Sequence, residues 1–331
     1  MAVSLQTLNY CASALHFVQA IVVAALIPGL NTKHKDDPPL MNGLYTLKKN
    51  TRLVLIPDST PKCDNMPVFK GLQDTHYGEM YTFNDEKGGI ALMGHFDAGS
   101  VDLRFLIMSF FMLSWLFQAA EGFVGDTPGP RLLRFVEYAF SASVMILAIA
   151  VEVGISDIYT LCCMFALIFA TNLLGLMAEL LCYLAENSTG VVAPWLWALP
   201  HCLGWVTCLV AYAPLLDHYL TSVRCSDMGP PGFVDVIVFL EFSFFICFGF
   251  VQIYSLLSRT LLLLSNEGGA LSSARDYQEL MQAADLRYTK EGKILQLTNA
   301  QSVIRNADLA YITLSFTAKT FLAWLILAPS L

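Results

Sequence analysis

One stretch decides the fold of this chain: Leu309-Ala-Tyr-Ile-Thr-Leu-Ser-Phe-Thr-Ala-Lys319-Thr-Phe-Leu-Ala-Trp-Leu-Ile-Leu-Ala-Pro-Ser-Leu331. It is apolar for roughly 20 residues, which is long enough for a helix to cross a bilayer. Lys319 lies near its middle, where a bare ammonium costs about 2.5–3.5 kcal/mol on insertion scales. Because midspan is too deep for the side chain to reach water, the amine must be neutralised, paired with a buried carboxylate or converted to a Schiff base.

The overall composition places the chain among membrane proteins. Of its 331 residues, 56% are hydrophobic and only 14% are charged, which is typical of a chain with several spans. The net charge of −8 is spread thinly and indicates no nucleic-acid role. Residues 1–9 carry no positive charge and no small-residue cleavage site stands out before the apolar run reaches spanning length, so we expect no signal peptide.

Apolar length predicts seven spans in a single domain that covers residues 1–331. An odd number of spans puts the two termini on opposite faces of the membrane. Two connections are long, 31–101 and 259–307, and the sequence shows no internal repeat. The predicted spans are 8–30, 102–121, 132–153, 158–184, 194–216, 232–258 and 308–329.

The two long connections have different patterns. Within 31–101, the runs 44–47, 52–56 and 80–83 are separated by turn residues and read as strands, so we expect a small antiparallel sheet on one membrane face. Within 259–307, the helical spacing of apolar residues over 275–288 predicts a surface helix, most simply a solvated cap. The predicted fold is therefore an all-α membrane protein, a seven-helix bundle with a small sheet in its first interhelical loop.

The nine cysteines do not form a disulfide framework. Seven lie in or beside predicted spans, where cysteine behaves as a small hydrophobe. Cys63 and Cys225 lie in loops on the same face, and both a bridge and two free thiols remain open. No His/Cys spacing predicts a zinc site, so we expect no metal. Asn187 opens an Asn-Ser-Thr sequon, which matters only if its loop faces the lumen.

Few carboxylates lie inside the predicted spans, and Glu137 is our candidate partner for Lys319. It lies about one turn into span three, which runs in the same direction as span seven. Arg134, three residues earlier, offers the alternative of a local ion pair. Ser315 and Ser141 lie one turn from Lys319 and from Glu137, so both hydroxyls can hydrogen-bond the site; the alternative is that each serine bonds its own backbone.

Spans five and six carry aromatic residues that suit the walls of an elongated apolar site, although aromatic residues in spans also face lipid. Glu241 lies inside span six, where a carboxylate needs a wet cavity or a partner. Other carboxylates lie nearer span ends, where we expect water to solvate them. The aromatic residues are Phe239, Phe242, Phe244, Phe245, Phe248, Phe250, Trp195, Trp197 and Trp205, and the span-end carboxylates are Glu121, Glu152, Asp157, Glu179, Asp217 and Asp235.

Motifs in most of the spans together resemble the heliorhodopsin family of retinal proteins. The most specific are Arg134-Phe-Val-Glu-Tyr-Ala-Phe-Ser-Ala-Ser-Val-Met-Ile146 with Gly154-Ile-Ser-Asp-Ile158, and Ser315-Phe-Thr-Ala-Lys-Thr-Phe-Leu-Ala-Trp324. Leu15-His-Phe-Val-Gln19 in span one, Gly175 and Glu179 in span four, and the phenylalanine-rich span six after Pro230-Pro231 also fit. The loop lengths do not follow the family.

The resemblance implies a light-absorbing photoreceptor and not an enzyme. Lys319 would carry all-trans retinal as a protonated Schiff base, with Glu137 as its single counterion and Ser315 at the place of a second acidic residue in pump-type rhodopsins. Light would isomerise the chromophore to the 13-cis form and drive a slow photocycle for sensing. The remaining residues that we expect around the chromophore are Tyr138, Ser141, Met145, Gly175, Phe245 and Phe248.

The resemblance also implies a topology and partners. The N-terminus would be cytoplasmic and the C-terminus extracellular, with 31–101 outside as a sheet that contacts a second copy in a homodimer. Asn187 would then be cytoplasmic and unglycosylated, and Cys63 and Cys225 would face outside. The 259–307 connection would lie in the cytoplasm, where it would meet an unidentified signalling partner.

One departure from the family opens an alternative function. Gln118 stands where the family usually has a histidine that, with His16, belongs to the polar cavity around the Schiff base. A glutamine cannot accept the released proton, so the proton route differs here. The alternative is a light-gated proton channel or transporter in which Glu137 and Glu241 carry protons, with His16, Gln118 and Arg134 as further path residues. A third class is a seven-helix receptor that needs no retinal.

Overall fold

The structure is a computed structural model. It describes residues 4–33, 44–50, 72–75, 78–84, 90–124, 128–187, 193, 195–225, 232–270 and 286–327. The side chains that it describes lie within 4–25, 102–124, 132–186, 195–221, 232–261 and 302–327, together with 193 and 223. The run 52–56, Cys63, Pro230-Pro231 and the 275–285 part of the predicted surface helix lie outside the described residues, and so does the side chain of Cys225.

Seven long apolar helices account for most of the described chain, which confirms the predicted number of spans. A helix satisfies its own backbone hydrogen bonds, which lipid cannot do. Their bounds are α1 Leu5–Lys33, α2 Leu103–Val124, α3 Pro128–Glu152, α4 Ile158–Asn187, α5 Ala198–Cys225, α6 Gly232–Ala270 and α7 Leu286–Leu327.

The predicted bounds differ from those in the structure most at spans one, five and seven. Among the described side chains, the apolar segment of α1 begins at Leu5 and not at 8, that of α5 is Ala198–Thr221 and not 194–216, and that of α7 begins at Ser302 and not at 308. The helix α7 begins still earlier, at Leu286. The helix α6 (Gly232–Ala270) has 39 residues, and α7 has 42. At a rise of 1.5 Å per residue, each helix is about 60 Å long. Because the hydrocarbon core is about 30 Å thick, both helices are longer than the bilayer requires.

The helix α3 is the central helix of the bundle. Consecutive helices pack on each other from α1 to α5, α6 packs on α7, and α7 closes against α1. The helix α3 also contacts α6 and α7, and its apolar segment is the most buried of the seven. A polar side chain on α3 can therefore reach the centre of the bundle, and Glu137 lies on this helix.

A tight corner joins α3 to α4. Gly154 has φ of 102°, a left-handed conformation that glycine adopts without strain. The amides of Gly154 and Ile155 donate to the carbonyls of Val151 and Ala150, which closes the helix in a Schellman arrangement. Asp157 then caps α4, because its carboxylate accepts from the Thr160 amide at 2.8 Å. The motif beginning at Gly154 thus stops one helix and starts the next within a few residues.

Four strands lie between α1 and α2: β1 Leu44–Asn50, β2 Leu72–Thr75, β3 Gly78–Asn84 and β4 Ile90–Asp102. They pair antiparallel in the order β1-β4-β3-β2. The pairing of β1 with β4 shifts register between Leu47 and Lys48, as at a β-bulge. The strand β4 leads directly into α2, so the sheet is continuous with the second span.

Candidate functional site

Lys319 is buried at the centre of the bundle with all three of its N–H donors occupied. Its Nζ atom lies 2.5 Å from Glu137 Oε1, 2.5 Å from Ser114 Oγ and 2.9 Å from Ser315 Oγ. Ser114 Oγ in turn donates to Glu137 Oε1 at 2.7 Å. An ammonium has three donors and a hydroxyl has one, so these contacts use every donor of Lys319 and the single donor of Ser114.

Three helices bring these side chains together. Ser315 lies one turn before Lys319 on α7, which places it on the same face, while Glu137 comes from α3 and Ser114 from α2. Lys319 is 2% exposed and Glu137 1% exposed. Charges buried to this degree are tolerated only in pairs with good hydrogen-bond geometry, so removal of either partner leaves an uncompensated ion.

Ser114 is the site residue that the sequence analysis missed. It lies one turn before Gln118, within the segment Leu113-Ser-Trp-Leu-Phe-Gln118, so the signal was present. The sequence does not tell which face of α2 meets α3, and a serine in a span reads equally well as a residue that bonds its own backbone. Only the packing of α2 on α3 identifies it.

A cavity opens beside Lys319. The empty space there, counted together with its open mouth, is about 860 Å³. The residues predicted around the chromophore line it together with Lys319, whereas Glu137 is not part of the lining. These residues are Ser315, Ser141, Met145, Tyr138, Gly175, Phe245 and Phe248.

The lining of this cavity fits retinal, an elongated apolar aldehyde. One primary amine points into a mainly aromatic and aliphatic space that also holds a few polar side chains, and Tyr138 lies beside it, with its ring centroid 5.5 Å from Lys319 Nζ. Phe248 stacks on Tyr311 with centroids 6.1 Å apart, and both rings line the space. The aldehyde carbon of such a ligand would react with Nζ, while its hydrocarbon chain would contact the rings.

Ser141 lines the cavity without pairing to Lys319 or Glu137. Its Oγ is buried and, among the described residues, has no hydrogen-bond partner. The structure therefore shows neither the bond to the counterion that we expected nor the backbone bond that was its alternative. Its hydroxyl is a free polar group in the wall of the cavity.

His16 and Gln118 both lie buried and line no part of the cavity. His16 packs its ring on Phe111 and Phe316, and its Nδ1 lies 3.2 Å from Gln19 Oε1. His16 Nε2 and Gln118 Oε1 have no partner within the described part of the chain. These two atoms are the polar groups that a buried water molecule would satisfy.

Arg134 does not pair with Glu137, so the alternative of a local ion pair is wrong. Its guanidinium instead bonds Asp308 Oδ1 at 2.7 Å and Glu121 Oε2 at 2.9 Å. This cluster joins α3 to α7 and α2. Because Arg134 is occupied by two other carboxylates, Glu137 remains available to Lys319.

A second buried cluster corrects the view that carboxylates near span ends are solvated. Arg259 on α6 bonds Glu179 Oε2 at 2.7 Å and Glu186 Oε1 at 2.6 Å. Glu179 is 4% exposed and Glu121 1%, so both are buried and ion-paired. Their positions near the span ends predicted contact with water, but arginines on neighbouring helices neutralise these carboxylates instead.

Glu241 is a buried carboxyl without an ion-pair partner. It is fully buried, lines the cavity, and neither of its oxygens has a hydrogen-bond partner among the described side chains. The hydroxyl of Tyr212 on α5 is likewise buried and unpaired. Polar atoms buried without partners are costly, so Glu241 is a candidate for chemistry and not for support of the fold.

The described side chains hold no group of three His, Cys, Asp or Glu residues that could bind a metal ion. The seven cysteines among them carry no disulfide.

Comparison with known proteins finds one family. Its family model, described as heliorhodopsin, matches residues 96–259, about half of the chain. The match runs from the end of β4 to Arg259 and so includes Glu137 and Glu241, whereas Lys319 lies outside it. No curated protein matches the chain.

Proposed function

Because the chain belongs to the heliorhodopsin family, we propose that it is a photoreceptor in which Lys319 carries all-trans retinal and Glu137 is the single counterion. The observation that supports this most directly is the 2.5 Å contact between Lys319 Nζ and Glu137 Oε1 at the edge of an aromatic cavity. The proposal assigns the protein no enzymatic reaction. In this proposal the protein first absorbs light, and its first response is a change in the contacts of the Lys319 nitrogen.

Retinal bound to Lys319 as a protonated Schiff base supplies the absorption of light and a change of shape by isomerisation. The protein supplies the charge balance. Once Nζ is linked in this way it keeps a single N–H, and the Glu137 carboxylate is the strongest of its three acceptors, because charge-assisted hydrogen bonds are roughly twice as strong as neutral ones. Ser114 holds the carboxylate by donating to Oε1, and Ser315 offers a neutral acceptor when the N–H turns away.

We further propose that the signal leaves through the extended ends of α6 and α7. With the N-terminus in the cytoplasm and the C-terminus outside, these ends point into the cytoplasm. Helices of 39 and 42 residues extend beyond the bilayer and can carry a displacement near Lys319 to a signalling partner there. The sheet of β1 to β4 would face outside and contact a second copy in a homodimer.

The alternative, a light-gated proton path, is favoured by Glu241. A buried carboxyl with no partner that lines the same cavity as Lys319 can take up and release a proton in place of a fixed structural role. Glu137 and Glu241 would be its two carboxyl groups, and the hydroxyls of Ser141 and Tyr212 are further groups on such a path. Arg134 is a less suitable path residue, because two carboxylates hold it in place.

Retinal binding tests the photoreceptor proposal. We expect purified protein supplied with all-trans retinal to show a visible band that Lys319→Ala abolishes. Lys293 lies on the same helix, outside the apolar span, so Lys293→Ala is the matched control and should keep the band. A visible band of unchanged intensity in Lys319→Ala would overturn the proposal.

Voltage clamp under light flashes tests the alternative. A light-evoked current that reverses with the proton gradient, and that Glu241→Gln removes while the visible band stays, would establish proton conduction. Absence of current from coloured protein at the cell surface would leave sensing as the function.

A further inference from the structure

A chain of hydrogen bonds runs along one wall of the cavity and joins α5, α6 and α4. Trp205 Nε1 donates to His201 Nε2 at 3.0 Å. His201 Nδ1 lies 3.1 Å from Gln252 Oε1, and Gln252 Nε2 donates to the Gly175 carbonyl at 2.8 Å. All four residues line the cavity.

The chemistry of the two ends fixes the direction of this chain. An indole nitrogen only donates and a backbone carbonyl only accepts. His201 Nε2 must therefore accept, and its proton must be on Nδ1, from which it donates to Gln252 Oε1. The Gln252 amide is held in the one orientation that serves both neighbours. A proton added to His201 Nε2 would put two donors face to face and break the bond to Trp205.

The hydrogen-bond chain does not contact Lys319: it lies on α4, α5 and α6, whereas Lys319 bonds residues of α2, α3 and α7. The helix α7, which carries Lys319, packs mainly on α6 and also on α1, whereas α5 packs on α4. A chromophore attached to Lys319 and extended across the cavity would bring its ring end to α5. Trp205 and His201 are therefore placed to contact the ring end and not the Schiff base.

Trp205 is held from two directions. A side chain at Gly249 on α6 would overlap the Trp205 indole, so the indole lies directly against the α6 backbone. From the α5 side it is fixed by His201, whose ring lies edge-on to it with centroids 6.4 Å apart. The indole is only partly buried, so it separates the cavity from the lipid side of the bundle.

We propose that His201 is a positioning residue for the chromophore: its neutral imidazole, protonated on Nδ1, holds the Trp205 indole as the wall at the ring end of the cavity. This inference rests on the proposed function, because it takes retinal as the ligand. Loss of the bond frees the indole, which changes the surroundings of the ring and opens the cavity wall on that side.

Nitrogen-15 NMR of the full chain with labelled histidine, with and without added retinal, tests the tautomer. We expect one histidine with a protonated Nδ1 and an unprotonated Nε2, whose Nε2 signal shifts in Trp205→Phe and disappears in His201→Phe. A proton on Nε2, or an Nε2 signal that Trp205→Phe leaves unmoved, would overturn the proposal.

Absorption spectra and dark bleaching by hydroxylamine test the effect on the chromophore. His201→Phe and Trp205→Phe should each shift the visible band and speed bleaching about five-fold, the change expected from loss of one buried hydrogen bond. The double variant should change no more than either single variant, because both remove the same bond. His201→Gln keeps an acceptor and a donor, so it should restore much of the wild-type behaviour.

The chain offers a matched control in Trp195, which is 63% exposed and lines no part of the cavity. Trp195→Phe should leave both the band and the bleaching rate unchanged. Additive effects of the two single variants would contradict the inference. Failure of the wild-type protein to form a pigment would refute the proposed function, whereas the NMR measurement without retinal would still decide the tautomer of His201 and its bond to Trp205.

Discussion

Replacement of Glu137 by glutamine removes the negative charge beside Lys319 and keeps the size of the side chain. At 2.5 Å, two unit charges attract by about 7 kcal/mol when the effective dielectric constant is about 20. This attraction stabilises a positive charge on Nζ. Light moves part of that charge toward the ring end, so if half of it moves, the charge-neutral variant should absorb at an energy lower by about 3 kcal/mol.

The assay is the absorption spectrum of purified pigment, with a titration of the visible band against pH. Glu137→Gln should shift the band to the red, and its visible band should give way to an ultraviolet one at lower pH than in the wild type. Glu137→Asp keeps the charge on a shorter side chain and should shift the band less. An unchanged or blue-shifted band in Glu137→Gln would refute the counterion assignment and the electrostatic reasoning with it.

Ser114→Ala removes a hydrogen bond that withdraws negative charge from the Glu137 carboxylate. The carboxylate then stabilises the charge on Nζ more strongly, so the absorption energy of the visible band should rise by about 1 kcal/mol, a blue shift; a red shift would contradict this. Arg134→Gln leaves two buried carboxylates unpaired and should cost about 3–5 kcal/mol of stability, seen as a lower thermal midpoint that recovers when both carboxylates are also neutralised. At Gly175 an added Cβ would lie 3.0 Å from Phe135 Cε1, so Gly175→Ala should cost about 1–3 kcal/mol through overpacking. The matched control is Gly204→Ala, where the nearest atom lies 3.4 Å away and thermal unfolding should be almost unchanged.

The number of spans could be predicted from the sequence because each apolar run must satisfy its own backbone in lipid. The ends of the spans could not, because a helix continues into water wherever its residues allow. The helix α7 illustrates this: it begins at Leu286, while its apolar part begins at Ser302. The length of an apolar run therefore predicts the part of a helix that crosses the membrane, and not the full length of the helix.

The candidate site was predictable where one residue is anomalous on its own. A lysine at midspan is unusual without any structure, whereas the choice of Glu137 as its partner rested partly on the family resemblance. Ser114 and Asp308 are not unusual in this way, because their roles depend on which helix faces them. The partner of Arg134 illustrates the limit: spacing offered Glu137, three residues away, only as an alternative, and the side chain bonds Asp308, 174 residues along the chain.

The central claim is that Lys319 carries the chromophore, and reduction of the pigment with borohydride followed by peptide mass mapping tests it most directly. We expect a retinyl group on the peptide that contains Lys319 and on no other lysine-containing peptide. A retinyl group on a different lysine, or recovery of only unmodified Lys319 from fully coloured protein, would contradict it.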